Sequence, residues 1–297
     1  MGLKAIIVGA GVLACIFWAG CSEKAAKTAQ TEAPRTASPA ELTLPYIPET
    51  LTSAQERGSF LAVHFWDALD SLAPALRADT VLMEQTFANY AELLRYVDEP
   101  TRSKSVGTLI EKCAADSASV RLIEYLAQKY LDDPNSPMRS EDIYLHFLRG
   151  FSTNALLPED VRFRGEFQLE RALMNRPGTR AADFGLVTRR GVNSTLLGQV
   201  AGDTTVVMFY DPDCQHCREI TARLAASTMP YRILAVDVAG DRGLWEASKS
   251  ALPADWTVAY ATTAVEDEVL YSFPALPAFY LLAPDGTVIL KDFTIRL

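Results

Sequence analysis

The sequence predicts two folded units in series: an N-terminal α-helical domain over 44–176, then a C-terminal α/β domain over 177–297 with a central mixed sheet flanked by helices. Three observations predict that order. Between Leu51 and Asn175 apolar residues recur at three- and four-residue intervals, and no run alternates as a strand does. Around Arg176-Pro177-Gly178-Thr179 this period stops at a cluster of turn formers, which sets the boundary between the units. Beyond it, Thr204-Thr205-Val206-Val207-Met208-Phe209-Tyr210 is a nearly unbroken apolar run, as expected of a strand buried on both faces. At 297 residues and 49% apolar, the chain is long enough to bury more than one core.

The first residues belong to neither unit. Lys4 precedes an apolar run from Ala5 to Trp18, which is short for a membrane span but suits the core of a signal peptide. The run ends in Trp18-Ala19-Gly20-Cys21, and Ser22-Glu23-Lys24 follow at once. Small residues before a cysteine and polar residues after it resemble the lipobox of bacterial lipoproteins. That resemblance implies a signal peptide over 1–20, lipid attachment at Cys21, and a body held in the periplasm of a Gram-negative-type cell envelope. Val12-Leu13-Ala14-Cys15 is a competing site with a shorter apolar segment, and an uncleaved anchor helix is the alternative to both. Residues 21–43, rich in Ala, Thr, Lys, Glu, Ser and Pro, read as a flexible tether. A net charge of −9 argues against nucleic acid or anionic lipid as a partner of the body.

In the helical region, Ser53 and Glu56 have capping-box spacing, and apolar residues at helical intervals fill 59–69, 81–97, 104–114, 119–131, 141–151 and 159–174. Pro74, Pro100, Asp132-Asp133-Pro134-Asn135 and Pro158 separate these runs. Val106, Leu109, Ile110 and Cys113 form an i, i+3, i+4, i+7 stripe, which reads Cys113 as a buried structural thiol. His64 and His146 sit among aromatics without companion ligands, so both read as core or surface histidines; Phe65 and Trp66 read as core. Asp98-Glu99-Pro100-Thr101-Arg102 reads as a solvated connection between helices.

The α/β region predicts a short strand over 182–187, a turn at Arg190-Gly191-Val192, and the apolar strand 204–210. A helix over 215–226, a strand over 231–238 and a helix over 244–251 follow. Strands over 278–283 and 287–291, joined by Pro284-Asp285-Gly286, close the pattern as a βαβ unit plus a hairpin.

At the join of the apolar strand and its helix stands Cys214-Gln215-His216-Cys217. A C-x-x-C alone is a weak signal, because zinc half-sites share it. Here no second C-x-x-C or His pair completes a zinc tetrahedron, so no metal is assigned. At a helix start the first cysteine faces unsatisfied N–H groups and the positive end of the helix dipole, both of which favour the attacking thiolate. His216 between the cysteines favours that thiolate further, whereas Asp213, as a helix N-cap, would set an opposing carboxylate beside it. Once Cys15 leaves with the signal and Cys21 carries lipid, the five cysteines leave three thiols, too few for a disulfide framework.

Three features together, Cys214-Gln215-His216-Cys217 after Phe209-Tyr210, Ala275-Leu276-Pro277-Ala278-Phe279, and the Pro284-Asp285-Gly286 turn, resemble thioredoxin-like envelope thiol–disulfide oxidoreductases of the TlpA/ResA type. The resemblance covers 179–297. It implies a thioredoxin-like fold, Cys214 as exposed nucleophile, Cys217 as resolving thiol, Pro277 as a cis-proline and Leu276 as a backbone contact to the substrate chain. It implies no cofactor, since the electrons reside on two sulfurs, and it makes partners of envelope protein thiols and disulfides and of a membrane redox protein, with reduction the favoured direction. Two departures stand out. Val206-Val207-Met208 is apolar where many thioredoxins carry a buried acid, leaving Asp211 or Glu219 as substitutes for the proton acceptor. The chain ends at Leu297, where thioredoxin folds usually add a helix, so the helical domain or a partner is expected to cover that sheet face. The helical region itself resembles a domain of unknown function that precedes thioredoxin-like domains in other envelope lipoproteins, and no activity follows from that. Two further readings of the cysteine pair stay open: a structural disulfide in a non-catalytic binding lipoprotein, and a copper site built with His216.

Overall fold

The computed structural model describes residues 42–71, 79–293 and 295. The signal peptide, Cys21, nearly all of the tether and Pro74 lie outside the described residues. An N-terminal helical region precedes a mixed sheet flanked by helices, as the sequence predicts.

Among the described residues, six α-helices make the first region: α1 Ala54–His64, α2 Thr80–Leu94, α3 Glu99–Cys113, α4 Ser117–Ala127, α5 Glu141–Thr153 and α6 Glu159–Leu173. Most starts are set by side chains that satisfy the otherwise unpaired N–H groups of a first turn. Ser53 and Glu56 form a complete capping box on α1, and Asp79, Asp98, Asp116 and Ser140 cap α2 to α5. Two sequence expectations need correction here. Pro100 does not separate helices but sits in the first turn of α3, where a missing N–H costs nothing. Asp98, read as part of a solvated connection, is the cap of that helix and accepts the Thr101 N–H at 2.9 Å. After α4 the chain widens into a π turn over Gln128–Asp132.

The helical core is built on Phe87, Tyr90, Leu94, Leu109, Ile123 and Phe147, all buried. Cys113, Phe65 and Trp66 are buried in it. His146 is buried as well, whereas His64 stands at the surface with a ring nitrogen 2.8 Å from Asp67. One polar thread crosses this core: the Tyr90 hydroxyl meets Ser105 Oγ at 2.6 Å, and Ser105 donates to the Ala62 carbonyl.

The second region holds β1 Gly185–Thr188, β2 Asn193–Thr195, α7 Leu196–Val200, β3 Thr205–Tyr210, α8 Gln215–Ala225, β4 Arg232–Asp237, α9 Arg242–Ser248, β5 Thr257–Ala261, β6 Ala278–Leu282 and β7 Val288–Lys291. The sheet order is β2-β1-β5-β4-β3-β6-β7. β3, β4 and β5 run parallel, and β1, β6 and β7 pair antiparallel around them. β2, α7 and β5 have no counterpart in the sequence expectations, because each is only three to five residues long. Every residue of β3 is buried, as its apolar run requires.

Period-two alternation divides the sheet into two faces. Val207, Phe209, Leu234, Val236 and Tyr280 point into one core, while Val206, Met208, Tyr210, Ala235 and Phe279 point into the other, beneath α8. On the α8 side Phe293 and Ile295 fold back onto the sheet, with the Phe293 ring 6.2 Å from that of Phe279. The covering expected from the helical domain or a partner is thus supplied in part by the segment after β7 itself.

Ion pairs join the last strand to the helices. Lys291 is only 7% exposed along its side chain; its ammonium lies 2.7 Å from Glu141 and donates to the Ala172 carbonyl at 2.9 Å. Arg176 reaches Glu141 at 2.9 Å and Asp142 at 2.6 Å, and Arg139 pairs with Asp292. Burial pulls the Lys291 ammonium below the usual lysine range, and Glu141 opposes that pull.

Candidate functional site

The C-terminal ends of β3 and β4 open towards the start of α8, where the two cysteines lie. Asp211 turns the chain out of β3: its Oδ1 accepts the Asp213 N–H at 2.7 Å and its carbonyl accepts the Cys214 N–H at 3.2 Å. That turn delivers Cys214, not Asp213, to the N-cap of α8, which corrects the expectation that Asp213 caps this helix. Asp213 is exposed outside the helix, and its carboxylate does not take a first-turn N–H.

Cys214 is half-buried, and its Sγ accepts the Cys217 N–H at 3.1 Å, a sulfur in the place usually taken by a capping oxygen. An anionic sulfur there receives that N–H and the positive end of the helix dipole together. The Cys214 thiol also lies 3.8 Å from the Leu276 carbonyl, and the Leu276–Pro277 peptide bond is cis. Cys217, one helical turn on, is 1% exposed, and burial pushes its thiol up to about 12, with the neighbouring Cys214 adding to the effect. The pair is therefore asymmetric, with one accessible sulfur over one shielded sulfur, both as free thiols.

His216 is exposed and, with Leu276 and Pro277, lines a cavity of about 210 Å³ beside the cysteines. The opposite wall carries Pro134, Asn135 and Arg139 from the segment between α4 and α5, so both regions of the protein contribute to it. Of the two acids considered as proton acceptors, Glu219 is exposed and accepts from the Gln215 side chain, whereas Asp211 accepts the Asp213 N–H through Oδ1 and lies near enough to Cys217 for its charge to be felt there. Sequence reasoning passed over Tyr210 and Asp237, which end β3 and β4 in register on the face that carries Cys217. A lone acid closing the apolar stretch Ile233-Leu234-Ala235-Val236 was the available signal. Among the described residues, no three His, Cys, Asp or Glu side chains gather as a metal site.

Residues 20–175, more than half of the chain, match a family described as a domain of unknown function, DUF5106. The chain belongs to the DUF5106 family. The DUF5106 match ends at residue 175, after the last helix of the first region and before the sheet begins. Among solved structures, a thioredoxin-like protein from Bacteroides caccae is 28% identical, covers 85% of this chain and 94% of its own, and superposes with a TM-score of 0.76. An overlap of that extent takes in both the DUF5106 helices and the sheet, and the sheet region has the thioredoxin-like fold. Two others overlap less: a conserved protein of unknown function from Bacteroides fragilis (32% identity, 40% of this chain, 93% of that chain, TM-score 0.36), and the thioredoxin domain of a thiol-disulfide oxidoreductase from Bacteroides vulgatus (19%, 40%, 89%, 0.35). Comparison with curated proteins returns no match.

Proposed function

We propose that this protein is a thiol–disulfide oxidoreductase of the cell envelope, of the TlpA/ResA type, lipid-anchored through Cys21, that reduces disulfides of envelope proteins. One observation carries the reading: a half-buried Cys214 sulfur caps α8 directly above the shielded Cys217 thiol. A purely structural pair has no need of that asymmetry, whereas exchange needs an accessible attacker and a protected resolver. Cys214 attacks the partner disulfide, Cys217 then attacks Cys214, and the partner leaves as a dithiol while the protein holds the disulfide. Leu276 and Pro277 flank the attacking sulfur and contact the substrate backbone, His216 tunes the sulfur, and a membrane redox protein returns the electrons. The tethered body over 44–297 consists of the helical domain over 44–176 and the thioredoxin-like domain over 177–297.

The reduction potential of the Cys214–Cys217 couple tests this, measured by equilibrating the purified chain in glutathione or dithiothreitol buffers and counting thiols. A reversible couple near or below about −250 mV is expected of a reductase, and one near about −120 mV would instead mark an oxidant. A disulfide that resists reduction in the native protein would make the pair a staple and the protein a binding lipoprotein.

A further inference from the structure

The cavity of about 210 Å³ beside the cysteines has walls from both regions of the protein, and the exchange chemistry draws on only one of them. We propose that the other wall, the segment 134–139 between α4 and α5, is the selective part of the substrate site, and that it favours partners with a bulky apolar residue one or two places from their disulfide cysteine. The inference rests on the oxidoreductase reading above.

Position and size point to the occupant. Leu276, Pro277 and His216 line the cavity, and the Leu276 carbonyl lies 3.8 Å from Cys214 Sγ. A partner joined to that sulfur in a mixed disulfide brings the neighbours of its own cysteine to this mouth, because consecutive Cα atoms are only about 3.8 Å apart. Pockets for small molecules usually span roughly 300–1,000 Å³, so this one is small for an organic cofactor and suits a single side chain. Its apolar lining is Ile220, Leu276, Pro277, Phe279 and Phe293, which rewards burial of an apolar group. Arg139 and Asp292, the charged groups of the lining, are paired with each other and so offer little to an ionic side chain.

The wall from the helical region is built to hold its place. Asp133 Oδ1 accepts the Asn135 N–H at 2.8 Å and the Asn135 Nδ2 at 3.2 Å, and Ser136 Oγ donates to the Tyr130 carbonyl at 2.6 Å. Arg139 Nε donates to the Asp132 carbonyl at 3.1 Å. Its pairing with Asp292, just after β7, ties the segment to the sheet region. Pro134 and Asn135 are themselves exposed, so packing of the helical core does not account for their being held at the cavity. A wall fixed before the partner arrives loses little freedom on binding, and its shape can then discriminate between side chains.

The test uses the full reduced chain and short peptides whose single cysteine carries an aromatic thiol in disulfide linkage. Cys214 attacks the peptide sulfur and releases the aromatic thiolate, which is read by absorbance. Cys217 then frees the peptide as a thiol, and the protein is left with the disulfide. Leu, Phe, Gly or Asp is placed in turn at the first and second positions on either side of the peptide cysteine. Leu or Phe at one of these positions is expected to raise the second-order rate constant of release about 10-fold over Gly, and Asp to gain nothing. Asn135→Trp, which fills the mouth from the helical side, is expected to cut that preference to about twofold, measured against the Gly peptide on the same protein. Pro134→Glu, which sets a carboxylate in the same wall, is expected to do likewise and decides the matter if Asn135→Trp does not fold. Equal rates for all the peptides, or a preference that the folded variants keep, overturns the inference while leaving the oxidoreductase standing. A cysteine pair that cannot be reduced, or that exchanges with none of the peptides, overturns both.

Discussion

The backbone N–H of Cys217 is bound by the Sγ of Cys214 at 3.1 Å, so the sulfur of one cysteine caps the helix by taking the amide of the other. A hydroxyl oxygen does this capping work as well as sulfur does, because Ser is among the best N-cap residues. Cys214→Ser should therefore abolish disulfide exchange while melting within about 1 kcal/mol of the wild type. Cys217→Ser should trap partners as mixed disulfides that non-reducing gels resolve. Normal turnover by either variant would remove the mechanism.

Glu141 is the hub between the helices and the sheet, taking both Lys291 and Arg176. Removing one member of a shielded ion pair strands the other, and Lys291 has little access to water. Glu141→Ala is expected to destabilise the protein by about 3 kcal/mol in denaturant unfolding, and Lys291→Met in the Glu141→Ala background to restore part of that loss. Additive losses in the double variant would show that the pair does not couple the two regions.

The order of helices, then sheet, was readable because the apolar period changes from three-and-four to an unbroken run at 204–210, and each of the six helices among the described residues of the first region overlaps one of the stripes. The Cys214–Cys217 pair was readable because strand, turn and helix signals converge on it. What escaped was decided across strands. β5 is a five-residue strand whose place between β1 and β4 follows from tertiary pairing, and local pattern carries no trace of it. Asp213 looked like the cap because acids often are, but the Asp211 turn shifts the helix start by one residue. Asp237 meets Tyr210 only through β3–β4 register, which 26 intervening residues conceal.

The proposed anchoring rests on Cys21 in the lipobox-like sequence. Replacing Cys21 with Ala should move the protein from the membrane fraction to the soluble fraction after cell lysis and ultracentrifugation. Retention in the membrane would favour an uncleaved anchor over a lipid.

The buried Asp237 makes a stability prediction. Its carboxyl is raised in the folded protein from 3.8 to about 6, mainly by burial. Between those values the native state binds more protons than the unfolded chain, so this residue's contribution to stability falls as pH rises and is fully unfavourable above the folded value. Asp237→Asn cannot ionise and escapes that loss. Relative to the wild type, the variant should gain on the order of 1–3 kcal/mol on going from about pH 4 to about pH 8 in urea unfolding. Taking the difference between the two proteins cancels the titration of every other carboxylate. A difference that stays flat across that range would mean that the Asp237 carboxylate is as well solvated in the folded protein as in the unfolded chain.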